Sequence, residues 1–252
     1  MNVLILAAGR GSRLKSRTSK IPKCLNKIGN NSLLDWQLAI ITKKISNIFL
    51  VKGYLGEKIR DKRVSYISNE NWNSSNMVES LYISLEKIMN DRTIISYGDI
   101  VYGNEIFKKI VEVKEEIAIT YDVNWLELWK KRFSDPLEDA ETFKVDKDNF
   151  ITEIGNKSSS YENIQGQFMG LLSLSSYFLK YLKNFLKGMD ESTRCKLDIT
   201  KLLSILIKNG LKIKAIPIYG NWMEIDKPKD LDLAEELIEQ KKLNLISPID
   251  NL

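Results

Sequence analysis

The chain has 252 residues, 43% hydrophobic and 28% charged, enough for one well-buried α/β domain with room for a small insertion. Its net charge of +5 suits small anionic ligands but is too dispersed for a nucleic-acid surface, and no basic run is interleaved with aromatics. Histidine is absent, which removes the Ser-His-Asp triad, the Cys-His pair, histidine-ligated zinc and the commonest general base together.

Asn2-Val3-Leu4-Ile5-Leu6 reads as a buried first strand that empties into Ala7-Ala8-Gly9-Arg10-Gly11-Ser12-Arg13-Leu14. Glycines there let the backbone take positive φ and approach a ligand, so that successive N–H groups face phosphate oxygens. Arg10, Arg13 and Lys15 add positive charge. Neither common nucleotide pattern fits, because Leu14 stands where a Walker loop and a dinucleotide fingerprint each need a glycine. Leu34, Leu38, Ile41 and Ile45 predict a helix over 33–45, and strands follow at 47–51 and 64–67. Met77, Leu81, Leu85 and Ile88 form one stripe of a helix over 76–89, with Ser75 as its N-cap. A strand at 93–97 ends in Gly98-Asp99, then come a helix at 104–113 and a strand at 116–121. This alternation implies an α/β fold with a mostly parallel, doubly wound sheet and ligands at the strands' carboxyl ends.

The rhythm breaks near residue 122. Trp125 to Phe133 is short and aromatic-rich, an acidic stretch (Asp135, Glu138, Asp139, Glu141) follows, and β-like pieces at 143–145 and 150–154 flank the turn 146–149. After the polar loop 157–160, regular elements resume at 166–172, with helices over 175–186, 200–209 and 228–241 and a strand at 212–216. The expected organisation is a single domain spanning 1–252, with 122–165 as an insertion that recognises a second substrate, since loops on a rigid scaffold carry specificity. Two cysteines, Cys24 and Cys195, make no disulfide framework. The N-terminus has no basic leader and no apolar run approaches membrane-spanning length, so a cytoplasmic location without membrane insertion is expected.

Chemistry without histidine falls to carboxylates, lysines, arginines and a hard metal ion, a set suited to phosphoryl and nucleotidyl transfer. The loop LAAGRGSRL, followed by Ile21-Pro22-Lys23-Cys24-Leu25, resembles the signature of the sugar-nucleotide and MobA-like nucleotidyltransferases, which join an NTP to a phosphorylated acceptor and release pyrophosphate. The resemblance implies a Rossmann-like, nucleotide-diphospho-sugar transferase-like domain. It implies nucleotide contacts from Leu6, Ala7, Ala8, Gly9, Arg10, Gly11, Ser12 and Gly98, and catalytic roles for Arg13, Lys23 and Asp99. It also implies Mg²⁺ between Asp99 and a late acidic residue, Glu224 or Asp226. On the residues alone, Glu224 and Asp226 in an extended segment project from one face, and they read as well as an exposed strand face or as charges at the entrance of the Pro228 helix.

The Trp222-x-Glu224-Ile225-Asp226 form and the stretch 73–81 resemble the cytidylyltransferase branch that acts on phosphocholine and aminoethylphosphonate. On that resemblance Asn76 and Ser80 contact base or ribose; a helix cap and a surface serine are the alternative. The stretch 124–133 resembles the phospho-amine cytidylyltransferases. There Lys130 and Arg132 receive the acceptor's phosphate, Trp125 or Trp129 stacks on its amine, and Glu138, Asp139 or Glu141 pairs with its positive group. Two tryptophans on one side of a short helix also read as core. The implied enzyme is a Mg²⁺-dependent cytidylyltransferase that transfers CMP from CTP to a small phosphorylated amine or amino acid, with phosphoglutamine of capsule phosphoramidate synthesis favoured. CTP against UTP, the acceptor and the oligomeric state, a homodimer included, are left open. A sugar-1-phosphate or molybdopterin nucleotidyltransferase and a non-catalytic regulatory nucleotide-binding module stand as alternatives.

Overall fold

In the computed structural model, which describes residues 1–248, strand β1 (Asn2–Ala7) is buried on both faces. Val3 and Ile5 pack into one apolar layer, Leu4 and Leu6 into the other, as a central strand of a two-sided sheet must. A short hairpin of β2 (Lys27–Ile28) and β3 (Asn31–Ser32) leads into α1 (Leu33–Ile41). Then come β4 (Ile48–Lys52), β5 (Ser65–Ser68), α2 (Met77–Ile88), β6 (Thr93–Tyr97), β7 (Ile100–Tyr102), α3 (Asn104–Val111), β8 (Ile117–Asp122) and α4 (Trp125–Arg132). The remainder comprises β9 (Glu141–Val145), β10 (Ile151–Lys157), β11 (Gln167–Leu174), α5 (Ser176–Lys187), α6 (Glu191–Lys196), α7 (Ile199–Lys208), β12 (Lys214–Ile218), β13 (Trp222–Glu224) and α8 (Pro228–Glu239).

Among the described residues, seven strands form one sheet in the order β12-β8-β11-β6-β1-β4-β5. Within it β11 runs against its neighbours β6 and β8, while the other pairings are parallel. The mostly parallel, doubly wound sheet expected from the sequence is therefore present. The chain passes to β4 on one side of β1 and to β6 on the other, so a crevice opens at the carboxyl ends of β1 and β6. Helices α1 and α3 cover one face through Leu34, Leu38, Ile106 and Phe107, and α2, α5 and α7 cover the other through Leu81, Leu85, Leu182 and Leu202.

A third apolar cluster joins the two ends of the chain. Leu14, Ile28 and Leu33 from the head pack with Met223, Ile225, Leu231 and Leu237 from the tail, all of them buried. Each such side chain contributes roughly 1.5–3 kcal/mol of transfer free energy, so this contact holds the tail firmly beside the first loop. Among the described residues no helix is long and apolar enough to cross a membrane.

Several local features differ from the sequence reading, the β2–β3 hairpin among them. The first helix stops at Ile41, where the Thr42 hydroxyl donates to the Leu38 carbonyl (2.7 Å) and competes with continuation of the helix. Asn76, not Ser75, caps α2, its side-chain oxygen accepting from the Met77 N–H (2.8 Å), while the Ser75 hydroxyl donates to the Asn71 carbonyl (2.8 Å). The β7–β13 pair and α6 have no counterpart in the reading, because elements this short carry too few residues for a periodicity to emerge.

Candidate active site

The loop after β1 owes its shape to Gly11 and Leu14. Gly11 sits in the left-handed region (φ +65°), and a Cβ there would come 2.8 Å from Cδ of Lys23, so the lysine stem can pass only beneath a glycine. Leu14 is fully buried and pins the loop to the third cluster, which explains why leucine stands where other phosphate loops carry glycine. Gly98 serves the same end on β6: its N–H donates to the Leu6 carbonyl (2.9 Å), where a Cβ would lie 2.8 Å from that oxygen. The close approach carries Asp99 to the mouth of β1.

The antiparallel β7–β13 pair then brings the tail to Asp99. Glu224 lies opposite Ile100, and the Ile225 N–H donates to the Asp99 carbonyl (2.9 Å). Asp226 follows, just before Pro228 opens α8. Its backbone is fixed by Asp230, whose buried carboxylate accepts from the N–H groups of Asp226 (2.9 Å) and Lys227 (2.7 Å) at the helix start. Asp99, Glu224 and Asp226 each thereby place an oxygen within 4.8 Å of the others.

Three cations bind this cluster. The Lys23 ammonium bridges Asp99 (2.6 Å) and Asp226 (2.5 Å), and Arg13 reaches Asp226 at 2.9 Å. Arg132 is almost fully buried between the Trp129 and Phe133 rings and pairs with Glu224 (3.2 Å), Asp230 (3.4 Å) and, more distantly, Asp226 (3.9 Å). Burial disfavours the charge on Lys23, but Asp99, Asp226 and Glu224 outweigh it and keep the ammonium more firmly protonated than a free lysine. Burial likewise opposes ionisation of Asp226, and Lys23, Arg13 and Arg132 overcome it, so its carboxyl titrates below the usual range. Glu224 goes the other way, raised first by burial and then by the neighbouring Asp226.

The donor set fits a hard divalent cation. It offers carboxylate oxygens alone, and Asp99 Oδ1 is buried without a hydrogen-bond partner, a free lone-pair site inside the cluster.

Two cavities meet here. The first, of about 310 Å³, is lined by Leu6 to Gly9 and Gly11 to Arg13 of the first loop and by Asn69, Trp72, Asn76 and Ser80. The second, of about 240 Å³, is walled by Trp129, Trp222, Asp139, Glu141, Gln167 and Phe168. Asp99 lines the first, Glu224 and Asp226 line the second, and Arg13 and Met77 line both, so the carboxylates lie along the seam.

Most residues singled out from the sequence gather in these two spaces. Leu6, Ala7, Ala8, Gly9, Gly11, Ser12, Arg13, Lys23, Asn76, Ser80, Gly98 and Asp99 line the first cavity, and Trp129, Asp139, Glu141, Glu224 and Asp226 line the second. Four do not. Arg10 is exposed and lies over the Tyr54 ring, and Lys130 faces solvent. Trp125 is core, its indole N–H donating to the Ile164 carbonyl (3.3 Å). Arg132 lines neither cavity; its Nε and Nη2 donate to Asp230 and Glu224, while Nη1 is buried without a hydrogen-bond partner. The sequence reading missed Asn69 and Trp72 in the first cavity and Gln167 and Trp222 in the second. Asn69 follows β5 directly, at a strand's carboxyl end, which is the one sequence signal that points to it.

Comparison with known proteins places the chain in a family. Residues 3–146 match the MobA-like NTP transferase domain. The CTP:phosphoglutamine cytidylyltransferase of Campylobacter jejuni subsp. jejuni is 35% identical, over 94% of this chain and 100% of that protein. Among solved structures, a putative glucose-1-phosphate thymidylyltransferase from Bacillus anthracis superposes with a TM-score of 0.77 at 18% identity, covering 99% of both chains. The inositol-1-phosphate CTP transferase from T. maritima does so with a TM-score of 0.74 at 21% identity, covering 98% of both. The chain belongs to the MobA-like NTP transferase family and is a nucleotidyltransferase.

Proposed function

We propose that this enzyme is a cytidylyltransferase that transfers CMP from CTP to a small phosphorylated amine or amino acid, phosphoglutamine foremost, with Mg²⁺ as its ion and pyrophosphate as the second product. The observation that carries the reading is the seam, where carboxylates from the middle and tail of the chain meet two cavities of unlike character. The nucleotide occupies the first, its phosphates over the Gly9–Ser12 backbone and its base toward Asn76 and Ser80. The acceptor occupies the second, its amine toward Asp139 and Glu141 with Trp129 and Trp222 as aromatic walls. The stretch 122–165 supplies three of these four groups and acts as the acceptor-binding insertion. The similarity to the phosphoglutamine enzyme of Campylobacter supports both CTP and this acceptor. A cytoplasmic location accompanies the reading.

In the reaction an acceptor phosphate oxygen attacks the α-phosphorus of CTP, and the bond from that phosphorus to the α–β bridging oxygen breaks as pyrophosphate leaves. A phosphate monoester, with a second pKa of about 6, is already ionised near neutrality, so no general base is required of a chain without histidine. Lys23 and Arg13, paired with carboxylates in the free protein, exchange those partners for phosphate oxygens and neutralise the charge that builds at the α-phosphorus. Asp99, Glu224 and Asp226 hold the divalent ion, which when bound supplies Lewis-acid polarisation of phosphate oxygens. Arg132 stays beneath and keeps Glu224 and Asp226 in place.

Pyrophosphate release across CTP, UTP, GTP and dTTP, each with phosphoglutamine, phosphocholine, aminoethylphosphonate and glucose 1-phosphate, tests the proposal. Fastest release with CTP and phosphoglutamine is expected. Fastest release with glucose 1-phosphate would replace this reading with a sugar-nucleotide transferase.

A further inference from the structure

The start of α2 carries Asn76 and Ser80 to the nucleotide cavity, yet its own backbone is capped from outside. In an ordinary capping box the third residue of the helix reaches back to the N–H of the capping residue. Here the Asn76 N–H donates instead to the Cys195 carbonyl (2.7 Å), and the Val78 N–H donates to the Leu197 carbonyl (3.3 Å). Glu79, the third residue, is turned away and held by Arg194, whose Nε donates to Oε2 at 2.6 Å in a buried pair. The guanidinium also lies 4.1 Å from the centroid of the Tyr82 ring on the next turn of α2. Asn76 still caps the Met77 N–H with its side chain, and one short segment, 194–197, supplies the contacts that take the place of the reciprocal capping-box bond.

We infer that Arg194 is a positioning residue for the nucleotide: it fixes the first turn of α2 so that Asn76 and Ser80 face the ligand in the first cavity. The inference rests on the assignment of CTP to that cavity. Arg194 does not line the cavity and touches no substrate. Its effect passes through Glu79 to Asn76, whose carbonyl accepts from the Glu79 N–H (3.1 Å), and through the helix to Ser80, whose hydroxyl accepts from Asn69 Nδ2 at 3.0 Å. The α2 side of the wall opposite the Gly9–Ser12 loop, Asn76 and Ser80, is therefore the part that this pair holds. The acceptor cavity takes Met77 alone from α2 and no residue of 194–197, and its charged groups Asp139, Glu141, Glu224 and Asp226 lie on other elements.

Calorimetric titration with CTP and Mg²⁺, without acceptor, tests this on the wild type, Arg194→Lys and Arg194→Met, together with steady-state KM values for both substrates. Removing a guanidinium from a buried carboxylate risks unfolding, so Glu79→Gln/Arg194→Met, which leaves no lone buried charge, is measured alongside. CTP affinity is expected to fall roughly tenfold or more in the folded Met variants and by less in Arg194→Lys, with the acceptor KM unchanged. Unaltered CTP affinity in folded Arg194→Met or in the double variant, or equal weakening of both substrates, overturns the inference. A wild-type protein that does not bind CTP overturns the nucleotide assignment and the inference with it.

Discussion

Arg132→Met separates two roles for this arginine that the sequence leaves open. The guanidinium is 1% exposed, lies 5.2 Å from the ring centroids of both Trp129 and Phe133, and neutralises Glu224, Asp226 and Asp230. Methionine fills much of the same volume but leaves these carboxylates without their buried cation. Breaking one side of a buried ion pair costs about 3–5 kcal/mol. For a domain of this size each kcal/mol lowers Tm by about 2–4 °C, so a loss of roughly 6–20 °C is expected. Circular dichroism melts measure it directly, and millimolar Mg²⁺ is expected to restore part of the loss, because an ion bound to the same carboxylates stabilises the folded state by mass action. An arginine that received the acceptor's phosphate would behave otherwise: the melt would stay within about 2 °C of wild type and the acceptor KM would rise. That outcome would refute the assignment of Arg132 as the buried counter-charge.

Lys23→Ala is expected to lower turnover roughly a hundredfold or more with little change in fold, as loss of one electrostatic contact to the developing charge does; pyrophosphate release measures it. Asp139→Asn with Glu141→Gln removes the two carboxylates of the second cavity that lie outside the ion cluster and should raise the KM for an amine-bearing acceptor about tenfold while leaving that for CTP alone. Burial pushes the Cys24 thiol up to about 12, so at pH 8 it stays protonated, and iodoacetamide should leave it unlabelled until the protein is unfolded; peptide mapping separates it from the partly exposed Cys195, and rapid labelling of Cys24 in the native protein would contradict its burial.

Much of the fold is legible because the signals are local and long enough to be periodic. Strand β1 announces itself as a continuous apolar run ending in glycine, and the stripe Met77, Leu81, Leu85 fixes α2 to within a residue. The capping of α2 is not legible, since its partners lie in residues 194–197 and their contact is purely tertiary. The carboxylate cluster is legible only through resemblance, because what joins Asp99 to Glu224 is a three-residue strand pair. Arg132 carried a usable sign: it shares one helical face with Trp125 and Trp129, and a basic residue on an apolar stripe is buried against acid more readily than offered to solvent. Asp230 carried another, two residues after a proline at a helix start, where a carboxylate accepts the free backbone N–H groups.

On the proposed function, the first loop, Asp99 and Asp226 form one ion- and nucleotide-binding centre. Electron paramagnetic resonance of Mn²⁺ titrated into the protein with CTP tests it most directly, using wild type, Asp99→Asn and Asp226→Asn. Wild-type protein is expected to take up the ion, and each variant is expected to lose at least about tenfold in affinity. Mn²⁺ uptake by Asp226→Asn equal to that of wild type would show that the tail of the chain takes no part in the centre.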